Sequence, residues 1–108
     1  LLDFEYAGPL DPPLDIANFF CEWMYDFGSP RWFEPDPTRF PSDEQARSFI
    51  AQYLGITNYA DDEVLAFQKE VQARIPYVHK FWIDWAMKNF SDRYEYVQYA
   101  ELRQILVD

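Results

Sequence analysis

The chain has 108 residues, enough for one domain, and carries a net charge of −10. Hydrophobic residues make up 49% of the sequence and aromatic residues 20%, which indicates a globular and not a disordered protein. Nucleic acid and stable membrane insertion are excluded, because the sequence has no basic cluster and no apolar run approaches about 20 residues. The charge would attract a cationic small molecule, although acidity of this kind more often only keeps a protein soluble.

The residues most often used in catalysis are scarce. Cys21 is the single cysteine, so the chain has no internal disulfide, and its place in an aromatic segment predicts a buried thiol. A reducing compartment, and hence a cytoplasmic location, is expected. His79 is the single histidine and has no catalytic partner near it in sequence, so we interpret it as a structural helix residue.

The chain starts with a predicted strand. Leu1 and Leu2 form its buried part, and Asp3 emerges where it stops. Glu5 follows two residues later, so both carboxylates lie on the same side. A carboxylate at a strand end can hold magnesium, but it can equally cap the following turn.

The first predicted helix follows a proline-rich turn. Pro12 and Pro13 predict extended backbone, and the helix then runs from about Asp15, its expected N-cap, to Tyr25. Helical spacing assigns Glu22 to a second face. The core face is expected to carry Ile16, Phe19, Phe20 and Trp23.

The middle of the chain contains a loop and a well-marked helix. Prolines and aromatic residues alternate from Gly28 to Pro41, which predicts an ordered lid or wrapping loop. Ser42 and Gln45 form a capping box that starts a second helix, and Gly55 ends it.

Two further helices complete the predicted fold. The third begins near Asp61, and Pro76 is expected to kink or restart it, while the fourth begins near Tyr96. Each carries two aromatic residues three positions apart, which therefore project from one face. The pairs are Trp82 with Trp85 and Tyr96 with Tyr99. Four such rings can form a box for a quaternary ammonium group, although aromatic pairs at this spacing are usually core packing.

Two blocks of sequence are specific: Asp-Phe-Glu-Tyr at residues 3–6 and Leu-Asp-Ile-Ala-Asn-Phe-Phe-Cys-Glu-Trp at residues 14–23. Together they resemble the signature of the choline/ethanolamine kinase family, and the likeness continues through both aromatic pairs to Arg103. The resemblance implies a mainly α fold, the C-terminal helical lobe of a protein-kinase-like fold with a short N-terminal strand remnant. Residues 1–108 would then be the C-terminal part of the domain, with the nucleotide lobe and the catalytic loop upstream.

The resemblance also implies an activity, the ATP-dependent phosphorylation of choline to phosphocholine in phosphatidylcholine synthesis, with ATP and Mg as cofactors. The catalytic base is expected upstream, so this chain alone would be inactive, and a homodimer would form through the missing portion. Asp3 and Glu5 are the implied metal ligands. The implied substrate-binding residues are Tyr6, Glu22, Trp82, Trp85, Tyr96 and Tyr99. An ethanolamine kinase and a non-catalytic quaternary-ammonium binding module remain as alternatives.

Overall fold

The computed structural model describes residues 11–107, which form four α-helices. These are α1 (Pro12–Glu22), α2 (Asp43–Leu54), α3 (Asp62–Phe90) and α4 (Tyr94–Val107), with a short 3-10 turn at Pro37–Arg39. α3 is 29 residues long, and each of the other helices packs against it. The mainly α-helical prediction is confirmed for these residues, whereas the predicted N-terminal strand lies outside them.

The start of α1 differs from the prediction. Asp11, and not Asp15, is the N-cap, and its carboxylate accepts a hydrogen bond from the Leu14 amide at 3.2 Å. The two prolines occupy the first turn of the helix, where their missing N–H groups would have had no partner in any case. The helix also ends earlier than predicted, at Glu22.

An ion pair ties this helix start to α3. The Nε atom of Arg74 donates to both carboxylate oxygens of Asp11, each at 3.0 Å, and a second guanidinium nitrogen donates to Glu70 at 2.8 Å. Arg74 therefore links two helices at a point that is partly open to solvent.

The local signals that predicted α2 are confirmed. The Ser42 hydroxyl accepts from the Gln45 amide at 3.1 Å, and the Gln45 side chain accepts from the Ser42 amide at 2.9 Å. Gly55 ends the helix with a φ of 74°, a left-handed conformation that glycine adopts without steric cost.

α3 does not restart at Pro76, because the helix continues without interruption from Asp62 to Phe90. Proline cannot donate to the carbonyl of residue 72. Pro76 and Gln72 are both exposed, so water can satisfy that carbonyl. The predicted restart of the helix at Pro76 is therefore wrong, whereas the alternative of a kink stays a prediction.

The core lies where α1 and α2 meet α3. Its largest fully buried side chains include Phe20, Ile50, Val64 and Val71. Phe19 was predicted to belong to the same core but is 39% exposed. Its ring instead lies over Phe49, with the ring centroids 5.2 Å apart.

The last helix and the loop between α1 and α2 pack together beside the C-terminal half of α3. α4 begins at Tyr94, two residues before the predicted start, and runs antiparallel to α3 after a short turn. The predicted wrapping loop packs its Trp32 ring against Tyr96 of α4, with a centroid distance of 4.9 Å. Across residues 11–107, none of the helices combines the length and the apolar character that crossing a lipid bilayer requires.

Candidate functional site

A cavity of about 420 Å³ opens between the end of α1, the wrapping loop and the α3–α4 pair. It is lined by one acidic and six aromatic side chains: Glu22, Phe27, Trp32, Trp82, Trp85, Tyr96 and Tyr99. The structure thus places five of the six residues predicted for substrate binding around one space. The sixth, Tyr6, lies outside the described residues.

The two tryptophans of α3 form one wall. Their rings meet edge to face with centroids 5.4 Å apart. The Trp82 indole donates from Nε1 to the Oδ1 atom of Asn18 at 2.8 Å, and Asn18 is itself buried. This hydrogen bond fixes the orientation of Trp82 relative to α1. Trp85 is more open, with 38% of its surface exposed.

The two tyrosines of α4 form the facing wall. Tyr96 stacks on Phe90, the last residue of α3, with centroids 4.2 Å apart and an interplanar angle of 19°. Its ring also lies 6.2 Å from Trp85, so the short turn between the helices does bring both aromatic pairs together. Tyr99 lies one turn further along α4 and is buried.

The sequence analysis missed the two aromatic residues that complete the lining, Phe27 and Trp32. The Trp32 ring lies 4.9 Å from Tyr96 and 5.7 Å from Tyr99, and Phe27 lies 6.2 Å from Trp32. Both are in a segment without helical or strand periodicity. For Trp32 the one available signal was the unusual density of aromatic residues among the prolines of the loop, and Phe27 directly precedes that loop.

Glu22 is the only charged side chain in this lining. It is exposed and is the last residue of α1, where the helix dipole disfavours a negative charge. No salt bridge neutralises it within residues 11–107. An acidic residue at this position therefore does not stabilise the helix. Binding of a positively charged ligand would explain its presence.

A buried polar cluster lies behind the Tyr99 wall. Arg103 is 3% exposed, and its Nε atom donates to Nδ1 of His79 at 2.8 Å. A second guanidinium nitrogen donates to the Tyr99 hydroxyl oxygen. The guanidinium carbon also lies over the ring of Tyr25 at 4.9 Å and that of Tyr99 at 5.5 Å.

Burial determines the protonation states in this cluster. Desolvation, with a smaller contribution from the Arg103 charge, lowers the pKa of His79 to about 4, so the imidazole is neutral near pH 7. Since Nδ1 accepts from Arg103, the proton is on Nε2, which faces the Cys21 sulfur at 3.8 Å. Burial also raises the pKa of the Cys21 thiol to about 12. The thiol is thus protonated and unreactive. The prediction that Cys21 is buried is confirmed, and His79 lies on a helix as expected.

The predicted metal ligands, Asp3 and Glu5, lie outside the described residues. Within the described part of the chain, no group of three His, Cys, Asp or Glu side chains is placed to hold a metal ion. The assignment of magnesium to Asp3 and Glu5 therefore stays a prediction.

The described cavity suits an organic cation. The faces of aromatic rings carry negative electrostatic potential, and each ring can contribute about 0.5 to 2 kcal/mol to the binding of an ammonium group. Glu22 adds a full negative charge to the lining, and none of the side chains that line the cavity is basic.

Comparison with known proteins links this cavity to a family. The family model described as Choline/ethanolamine kinase matches residues 1–106. The choline kinase of Saccharomyces cerevisiae is 35% identical over 95 residues, and the ethanolamine kinase of the same yeast is 29% identical over 92 residues. The choline/ethanolamine kinase of Homo sapiens is 29% identical over 116 residues. No solved structure gives a significant match.

These matches cover 81%, 81% and 95% of this chain, respectively, but only 16%, 17% and 29% of the relatives. The chain therefore spans less than a third of the length of each. The family match nevertheless extends over nearly every residue, including both sequence blocks and all the side chains that line the cavity. The chain belongs to the choline/ethanolamine kinase family.

Proposed function

We propose that this chain is the C-terminal part of a choline kinase, which phosphorylates choline with ATP and magnesium to give phosphocholine for phosphatidylcholine synthesis in the cytoplasm. The observation that carries the proposal is the cavity with six aromatic side chains and a single carboxylate, that of Glu22. The six rings would surround the trimethylammonium group of choline, and Glu22 would balance its charge.

The preference for choline over ethanolamine rests on the hydrogen-bonding capacity of the walls. A primary ammonium group brings three N–H donors, whereas a quaternary one brings none. The acceptors in the lining are few, since the Tyr99 oxygen already accepts from Arg103 and the main remaining oxygens are those of Glu22 and Tyr96. Most of the lining is ring face, which packs well against methyl groups but offers a primary ammonium group no oxygen acceptor, and this favours choline.

In the proposed reaction this chain binds and orients the substrate. Glu22 and the rings hold the ammonium end, so that the hydroxyl end of choline points to the phosphoryl donor for in-line transfer. Asp3 and Glu5 are proposed to hold magnesium, which when bound neutralises charge on the nucleotide phosphates. No residue of this chain is proposed as the catalytic base.

Binding of choline tests the cavity directly. Titration of the 108-residue chain, followed by tryptophan fluorescence, should show binding of choline and much weaker binding of the uncharged isostere 3,3-dimethyl-1-butanol. Trp85→Leu keeps an apolar side chain but removes a ring, so it should weaken choline binding roughly tenfold. The same substitution should change the affinity for the uncharged isostere only slightly.

Tyr77→Leu is the matched control, because Tyr77 is another exposed aromatic residue of α3 and does not line the cavity. It should leave the choline affinity unchanged. If choline and its uncharged isostere bind equally well, the site is only an apolar cavity and the ammonium assignment is wrong. Tighter binding of ethanolamine than of choline would favour the ethanolamine kinase alternative.

Asp3 separates a kinase from a binding module. In a chimaera in which residues 1–106 replace the matching segment of the human choline/ethanolamine kinase, Asp3→Asn should slow phosphocholine formation at least about tenfold. The affinity for choline should not change. A chimaera that binds choline but forms no phosphocholine would support the non-catalytic module instead.

A further inference from the structure

We propose that Arg103 is a positioning residue for the amine pocket, which holds the Tyr99 wall and its neighbours in place from behind; this inference rests on the proposed function of the cavity. Arg103 is not among the side chains that line the cavity, so it would not touch the ligand. It lies one helical turn after Tyr99 on the same helix and is almost completely buried.

The positive charge of Arg103 is buried, and its burial needs an explanation. No carboxylate forms a salt bridge with Arg103 within residues 11–107. Burying a guanidinium without such a partner is costly, and an apolar side chain of similar size would often be more stable. Within residues 11–107 it instead contacts His79, the Tyr99 hydroxyl and the ring faces of Tyr25 and Tyr99, and none of these groups carries a negative charge.

These partners belong to three different elements of the cavity wall. His79 is on α3, three residues before Trp82, and Tyr99 is on α4. Tyr25 follows α1, and its ring stacks on that of Phe27 with centroids 5.6 Å apart and an interplanar angle of 9°. A single planar guanidinium therefore contacts α3, α4 and the segment after α1, which carry Trp82, Tyr99 and Phe27 of the lining.

The protonation pattern makes this connection specific. Neutral His79 offers one acceptor, Nδ1, and the Tyr99 oxygen offers another, and the fixed fork of an arginine reaches both. The Tyr99 oxygen is thereby held on the side of the buried guanidinium, while its ring lines the cavity. A lysine has the same charge but lacks the planar fork, so it cannot hold both acceptors in this geometry.

A positioning role for Arg103 and a purely electrostatic role predict opposite changes in the affinity for choline. A positive charge behind an ammonium site repels the ligand, so removing it should strengthen binding if charge were its only effect. If Arg103 positions the wall, both Arg103→Met and Arg103→Lys should weaken choline binding about fivefold. Equal losses in the two variants, one neutral and one charged, would identify geometry as the cause.

The experiment uses the 108-residue chain with carbon-13-labelled tyrosine and two readouts. The first is the set of ring resonances of Tyr99 without any ligand, which should shift or broaden in both Arg103 variants. The second is the affinity for choline. Arg74→Met is the matched control, because Arg74 also bridges two helices but its partners Asp11 and Glu70 do not line the cavity. It should lower stability and change neither readout.

Tyr99→Phe tests the same contact from the other side, since it keeps the ring and removes only the hydroxyl oxygen that accepts from Arg103. Its effect on choline affinity should not add to that of Arg103→Met in the double variant. Additive effects, tighter choline binding by Arg103→Met, or unchanged Tyr99 resonances in both Arg103 variants would each overturn the proposal. If the unmodified chain binds no choline, the proposed function fails, and the ligand-free resonances still decide whether Arg103 positions the wall.

Discussion

Replacing Phe20 with alanine is expected to lower the free energy of unfolding by about 3 to 5 kcal/mol. Phe20 is 1% exposed, and its ring packs against those of Trp23, Phe40 and Phe49, with centroids 5.5 to 6.2 Å apart. Truncation would remove these contacts and leave a cavity between α1 and α2 that the rigid aromatic neighbours cannot fill. Urea denaturation followed by circular dichroism measures the loss.

Phe19→Ala is the matched control, since Phe19 precedes Phe20 on the same helix but is 39% exposed. It loses the stacking contact with Phe49 and the edge contact with Trp23 but little buried area, so its cost should be only about 1 kcal/mol. Similar losses in the two variants would contradict the orientation of α1 described above, because they would place both rings in the core.

Stability is also expected to fall as the pH decreases from about 6.5 to about 4, because of His79. Its ordinary pKa of 6.5 applies to the unfolded chain, whereas burial and the adjacent Arg103 charge lower it to about 4 in the folded state. Between these values the unfolded chain binds a proton and the folded chain does not, so acid favours unfolding. The full effect is on the order of 3 kcal/mol.

Urea denaturation across this pH range, compared with the His79→Gln variant, isolates the histidine. The glutamine oxygen can still accept from Arg103 but does not titrate in this range. The variant should therefore lose much of the pH dependence above about pH 5, where most carboxylates remain ionised. An unchanged slope in the variant would show that another group causes the acid sensitivity.

The parts of the fold that the sequence predicted correctly depend on short-range signals. The capping box at Ser42 and the glycine at position 55 fix α2 from within its own sequence. The start of α1 was misplaced because Pro12 and Pro13 favour both an extended turn and the first turn of a helix, and only the Asp11 cap decides between them. Likewise, helical spacing alone assigned Phe19 to the core stripe, although its ring lies at the edge of the core, over Phe49, and is 39% exposed.

For the candidate site, too, the sequence predicted only the residues that local signals determine. Spacing placed Trp82 with Trp85 and Tyr96 with Tyr99, because three-residue separations on a helix are determined locally. Trp32 reaches the cavity through an irregular loop, and no periodic pattern encodes where such a loop lies. The contacts of Arg103 with His79 depend on how α4 packs on α3, so they become visible only in three dimensions.

The short turn between α3 and α4 has a consequence for the order in which the cavity is assembled. Its tryptophan and tyrosine walls lie within residues 82–99, so the chain closes only a small loop to join them, at low entropic cost. Glu22 lies 60 residues before Trp82, and its arrival requires α1 to dock on α3. During folding, the four rings of α3 and α4 would therefore gather first, and the negative charge of Glu22 would reach them only afterwards.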